Sequence, residues 1–233
     1  MRAAEAAARD GQPRRYRSPH REQQARRTRA RIVAAAARRF LDLGYAGTTM
    51  RAVAADAGVA LPTVELVVGT KARLLKAVID TAIAGDAEPV PMLAREWAAQ
   101  AEAAAGAAEF AAVFARQLAE SAQRAAGLTL VALEAARNDA DIAAVAAQLV
   151  NQRAVMAAWL VDGLRQRSPL RTGVDREAAA ASVWALMDPA LFCRLTVDQR
   201  WSADRFRDWF ADAVVRLLLP VNDHGAIDPT GMF

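Results

Sequence analysis

An all-α fold is the expectation for this chain of 233 residues, and three observations predict it. Alanine is abundant from end to end. No run alternates β-branched or aromatic residues with polar ones between turn markers. Apolar residues instead recur three and four positions apart, in segments punctuated by glycine and proline. With 54% hydrophobic residues the chain can bury a sizeable core. It needs no disulfide framework, and the single Cys193 excludes one together with any multi-cysteine metal site. Cys193 itself reads as a small buried hydrophobe.

The elements follow in order. Residues 1–21 form a basic arm expected to lack fixed structure. Residues 1–31 hold ten arginines against Glu5, Asp10 and Glu22, giving 10 − 3 = +7, whereas the remainder holds 20 basic and 23 acidic residues, or −3. Such an arm is attracted to a polyanion. A first helix is predicted from about Glu22 to Leu43, with Ile32, Ala36 and Phe40 on its apolar face and Gly44 ending it. A short second helix starts near Thr49, whose hydroxyl can cap it; it buries Val53, Ala54 and Ala57 and stops at Gly58. A third starts at Leu61 or Pro62, since the first turn has no hydrogen bond for the missing proline N–H to break. "GTK", Gly69 to Lys71, opens a fourth. "AGDAEPVP", Ala84 to Pro91, is the best internal boundary. It divides a domain at 22–84 from one at 85–220, followed by a flexible tail at 221–233. In the second domain helices are predicted at about 92–104, 107–125, 128–137, 140–166, 175–195 and 203–219, with Pro189 bending the penultimate one.

Two short helices joined by "DAGVA" and braced by a longer one form a compact tri-helical unit with the layout of a helix-turn-helix, whose third helix projects as a rod that fits a major groove. The stretch from Thr28 to Ile79, with "GYAGTTMRAVAADAGV" and the later "TK..LL", resembles the N-terminal domain of TetR-type (tetracycline-repressor-like) transcriptional regulators over about 50 ungapped residues. That resemblance implies an N-terminal three-helix DNA-binding domain and a larger C-terminal helical domain for ligand binding and dimerisation. The implied partners are double-stranded operator DNA, a second copy of the chain in a homodimer, and a small-molecule effector that releases the DNA. It further implies phosphate contacts at Thr48, Thr49 and Lys71, a guanine-edge contact at Arg51 and a contact at Thr63.

The third helix departs from the family pattern. Ala60 stands where a serine is usual, and "VELVV" replaces a Tyr-His-Tyr-like run. Leu61 and Val64 against thymine methyls, Glu65 accepting from a cytosine amino group, and the arginine-rich stretch through Arg29 could make up the lost contacts. The opposing reading packs Leu66, Val67 and Val68 against neighbouring helices. The candidate DNA-contacting residues are therefore Arg29, Thr48, Thr49, Arg51, Leu61, Pro62, Thr63, Glu65 and Lys71.

In the second domain, Trp97, Phe110, Phe114, Trp159, Trp184, Met187 and Phe192 could line an apolar effector cavity, or could equally be plain core. The last helix carries an apolar stripe at Phe206, Trp209, Phe210, Ala213, Val214, Leu217 and Leu218, and the preceding one is almost wholly apolar. The resemblance implies dimerisation through these last two helices, with Trp184, Leu191, Phe206, Trp209, Phe210, Ala213, Val214 and Leu217 as the candidate interface.

No nucleophile with its base, metal-ligand spacing or phosphate-cradling glycine loop is found, so neither an enzyme nor a cofactor is expected. His20 and His224 stand alone in polar terminal segments. No apolar run approaches the ~20 residues needed to span a bilayer, and the start lacks a secretory core, so no membrane is expected and a cytoplasmic location is. The leading function is a ligand-released repressor. The alternative is a helical interaction protein of the same fold that has lost base reading.

Overall fold

The structure, a computed structural model, describes residues 19–220, with side chains from residue 23 onward. The arm at 1–21 lies almost wholly outside the described residues, and the tail at 221–233 wholly so. Among the described residues there are ten α-helices and no strand. They are α1 (Pro19–Gly47), α2 (Met50–Ala57), α3 (Leu61–Val68), α4 (Lys71–Ala84), α5 (Glu96–Glu102), α6 (Ala107–Ala135), α7 (Ala140–Arg167), α8 (Arg176–Leu186), α9 (Pro189–Cys193) and α10 (Ala203–Leu218).

The helix ends obey local chemistry. In α1 the regular path breaks at Gly44, whose φ of 66° a side chain would resist, so the chain turns there as the glycine predicts. Asp139 caps α7 by accepting from Asp141 and Ile142 N–H, Asp175 caps α8 and Ser202 caps α10. The first predicted helix of the second domain is shorter than expected. Met92–Ala94 form a single 3₁₀ turn, Arg95 is extended, and only Glu96–Glu102 are α-helical.

Two further boundaries differ from expectation. Gly127 does not break the chain into two helices, and α6 runs unbroken for 29 residues. Gly127 lies beneath Leu41 of α1, where an added Cβ would come within 3.0 Å of Leu41 Cδ2, so the glycine serves a close helix crossing. Pro189 does more than bend its helix. α8 stops at Leu186, Asp188 accepts from Ala190 N–H at 2.8 Å, and Pro189 opens α9, which runs into one π turn at Arg194–Asp198, 44° away from α8.

Two hydrophobic clusters hold the molecule. The first joins Ile32, Ala36 and Phe40 of α1 to Val53 and Ala57 of α2, Val64 of α3, and Leu74, Leu75 and Ile79 of α4. It does not stop at residue 84: Leu128 and Ala132 of α6 and Ile142, Val145 and Leu149 of α7 belong to it. The α6–α7 hairpin therefore anchors the N-terminal unit. The second cluster packs Phe110, Phe114 and Ala115 of α6 against Leu160 and Leu164 of α7, Val183 of α8, and Phe206, Phe210 and Val214 of α10.

Candidate nucleic-acid interface and adjoining cavity

The turn of the tri-helical unit is set by short-range bonds. Thr49 Oγ1 accepts from Ala52 N–H at 3.2 Å, starting α2, and Gly58 closes it in the left-handed conformation. α3 follows with Pro62 in its first turn and Ala60 as a cap without a side-chain bond. From α1, Arg31 donates to the carbonyls of Ala57 and Gly58, and Arg29 Nη1 donates to Val67 O at 3.1 Å. Two arginines thus clamp the carbonyl ends of both short helices, where a cation also meets the negative pole of the helix dipole. Arg39 grips Asp56 through two bonds of 2.6 and 2.9 Å; they hold the Asp56 carboxyl below its ordinary value and push the guanidinium up.

Lys71, the first residue of α4, is also engaged. Its Nζ donates to Tyr45 O at 3.0 Å and lies 4.0 Å from the centroid of the Tyr45 ring. Burial, followed by the nearby Asp139 and Asp141, pushes the Tyr45 phenol up to about 12.

The side chains of α3 divide cleanly. Val64 and Val68 are buried, Leu61, Thr63 and Val67 are half-buried, and Pro62, Glu65 and Leu66 point outward. The burial of α3 and its flank overturns two expected contacts and one alternative packing. Thr48 is 0% exposed and spends its hydroxyl on Gly44 O at 2.8 Å, so it braces the turn after α1 and presents nothing to a duplex. Val64, also 0% exposed, cannot meet a thymine methyl. Leu66, which the opposing reading packed inward with Val67 and Val68, is 87% exposed. Arg29, Thr49, Arg51, Pro62 and Glu65 are exposed, whereas Thr63, Leu61 and Lys71 are half-buried.

Charge is concentrated on this unit together with α4. Residues 23–84 carry ten Lys and Arg against Asp42, Asp56, Glu65 and Asp80, or 10 − 4 = +6, while residues 85–220 carry 14 against 17 acids, or −3.

Beside the unit lies a cavity of about 1400 Å³, bounded by α4, α6, α7, the segment 86–93 and the α8–α9 turn. Trp97, Phe114, Met187 and Phe192 line it as expected, whereas Phe110, Trp159 and Trp184 do not. Phe110 is sealed against Gly163, with the Arg167 guanidinium 4.3 Å from its ring centroid. Trp159 is held in the aromatic core by Phe110, Trp97 and Phe114 at ring centroids of 5.1, 5.5 and 6.1 Å. Trp184 lies under the Arg153 guanidinium at 4.0 Å, and Arg153 in turn pairs with Asp188 at 2.7 Å. A polar relay not expected from the sequence ties α6 to α4 beside the cavity, with Gln117, Ser121 and Ile83 in the cavity wall. Gln117 Nε2 donates to Ser121 Oγ at 2.9 Å, Ser121 Oγ donates to Ile83 O at 2.9 Å, and Arg124 Nε donates to Ala82 O at 2.8 Å. The signal was present: a serine and an arginine three apart in an otherwise alanine-rich helix.

The candidate dimer face also splits. Phe206, Phe210 and Val214, four residues apart, are buried against α6 inside one protomer and are corrected from interface to core. Trp184, Leu191, Trp209 and Ala213 are all half-buried, and Leu217 is 41% exposed. Trp209, Ala213 and Leu217 make a second stripe, three residues out of phase with the core stripe.

No protein-family model and no curated protein matches the sequence. Solved structures do match. FadR from Bacillus subtilis, in complex with stearoyl-CoA, is 16% identical with a TM-score of 0.64, over 81% of this chain and 98% of that one. A protein described as a TetR-family transcriptional regulator from a Rhodococcus species is 16% identical with a TM-score of 0.63, over 82% and 98%. NalD, the secondary repressor of the MexAB-OprM multidrug efflux pump in Pseudomonas aeruginosa, is 19% identical with a TM-score of 0.62, over 87% and 100%. The chain has the TetR-family fold. In that fold α1–α4 make up the N-terminal helix-turn-helix unit, and α5–α10 form the larger helical domain. These neighbours are described as transcriptional regulators, NalD as a repressor. Among the described residues no cluster of His, Cys, Asp and Glu could hold a metal ion, and no single helix is long and apolar enough to cross a membrane.

Proposed function

We propose that the chain is a transcriptional regulator that binds duplex operator DNA as a homodimer, acts as a repressor, and is released when a small, largely hydrophobic molecule enters the cavity. The observation that carries this reading is the helix-turn-helix unit with its +6 charge, joined to a domain of net −3, so that one end of the molecule alone attracts phosphates. Thr49 and Arg51 stand exposed at the start of α2, where they can contact the backbone and a guanine edge. Thr63 adds a hydroxyl on α3. The 1400 Å³ cavity is large enough for a small-molecule effector, and FadR of the same fold was solved with stearoyl-CoA. The relay from Gln117 through Ser121 to Ile83 O supplies a route from the cavity wall to α4, the helix that follows α3.

The full chain, presented with a random duplex library, should retain a discrete set of sequences whose affinity falls steeply with salt. Arg51→Ala should weaken the selected duplex by about tenfold or more and relax its sequence preference, since a good bidentate base contact is worth ~1–3 kcal/mol. Thr63→Ala should weaken it less. Retention of no duplex, or indifference to both substitutions, would instead favour the interaction protein, with the exposed Leu66 as its grip.

A further inference from the structure

We infer that Leu66 is a specificity-determining residue of this chain and that the feature it reads is the C5-methyl group of thymine in the major groove. The inference rests on the DNA-binding reading above and adds to it the chemistry of the sequence bound.

A single exposed leucine would ordinarily need no explanation. Leu66 differs in its surroundings. It is 87% exposed on a helix whose other aliphatic side chains are buried or half-buried, apart from Pro62 four residues earlier on the same face. That outward face consists of Pro62, Glu65 and Leu66, and none of the three side chains can donate a hydrogen bond. Guanine presents two acceptors in the major groove, and adenine an acceptor beside a donor. A leucine laid over either edge would strand those groups without a partner. Thymine alone among the four bases offers an apolar group there, and the leucine and the methyl each lose exposed apolar surface when they meet. Charge complementarity names the occupant. The unit bearing Leu66 has a net +6, which suits a polyanion and gives an uncharged apolar partner no advantage. Glu65 beside it excludes a phosphate as Leu66's immediate neighbour and suits a cytosine amino group. The face as a whole therefore reads pyrimidine edges.

The experiment uses the full chain and the duplex it selects from a random library. Each thymine is replaced in turn by deoxyuridine, which removes the methyl and nothing else. At one or two thymines per half-site the substitution should weaken binding about fourfold, the value of burying one methylene-sized group. Leu66→Ala should weaken the parent duplex by at least the same factor and bind the thymine and deoxyuridine duplexes equally, because a double-mutant cycle is non-additive for groups in contact. Its melting temperature should match the wild type, since the side chain packs on little. Discrimination against deoxyuridine that survives in Leu66→Ala overturns the inference, as does a selected site in which no thymine methyl matters. Those results leave the regulator reading standing. Failure to retain any duplex removes both.

Discussion

Thr48 and Thr49 carry the same hydroxyl on adjacent residues and use it in opposite ways. Thr48 donates inward to Gly44 O and is buried, whereas Thr49 faces solvent and caps α2. Nothing in the pair "TT" separates the two roles; the turn at Gly44, with its φ of 66°, does, by rotating the chain so that only the second threonine reaches the surface. The substitutions therefore separate stability from binding. Thr48→Val removes a buried bond to a carbonyl and should cost about 1–3 kcal/mol in urea unfolding. The slope of DNA affinity against salt should stay unchanged. Thr49→Ala should cost about 1 kcal/mol through the lost cap. It should also weaken DNA binding in anisotropy titrations beyond anything Thr48→Val does. Equal effects of the two on DNA binding would restore Thr48 to the contact set.

Much of the element order was legible because helix starts carry local chemistry: Thr49 and Pro62 mark starts that the structure bears out, and Thr70, Asp139, Asp175 and Ser202 cap the helices that follow the predicted breaks. What escaped the sequence depends on what lies across from a residue. Gly127 reads as a break but is a point of close approach to Leu41, while Phe206 reads as an interface but faces its own α6. Within α6 and α7 two glycines look alike in sequence and should respond to alanine with opposite signs. Gly127→Ala should stabilise the chain by about 0.5–1 kcal/mol, because it removes a flexible residue from a helix interior. The new methyl meets only the end of Leu41, which is 54% exposed and free to shift. Gly163→Ala drives a methyl into the ring of Phe110, which is fully buried and has nowhere to go, so overpacking outweighs the propensity gain. A destabilisation of about 1–3 kcal/mol is expected. Urea midpoints of the two variants moving in the same direction would contradict this account of the α6–α7 hairpin.

At the scale of the whole molecule, the +6 unit and the −3 domain would, on the proposed function, orient an approaching protomer on a duplex, but one α3 would cover only part of a groove. A second copy related by twofold symmetry would place its α3 about one helical turn, roughly 34–36 Å, away and double the contact. The surface available for that pairing is the outer stripe of α10, where Leu217 is exposed and Trp209 and Ala213 are half-buried, once Phe206, Phe210 and Val214 are committed to the protomer's own core. On α8, Ala178, Ala181 and Ala185 present a flat exposed face that would let two helices approach closely. A carboxylate placed in either stripe loses its hydration on pairing without gaining a partner, a cost that twofold symmetry incurs twice. Leu217→Glu and Ala181→Glu alter exposed positions, so each should fold with an unchanged melting temperature. In light scattering each should move from dimer to monomer mass, and affinity for a two-half-site duplex should fall by at least tenfold. Affinity for an isolated half-site should hardly change, because the tri-helical unit is untouched. A Leu217→Glu chain that stays dimeric and binds the full site normally would show that another surface joins the protomers.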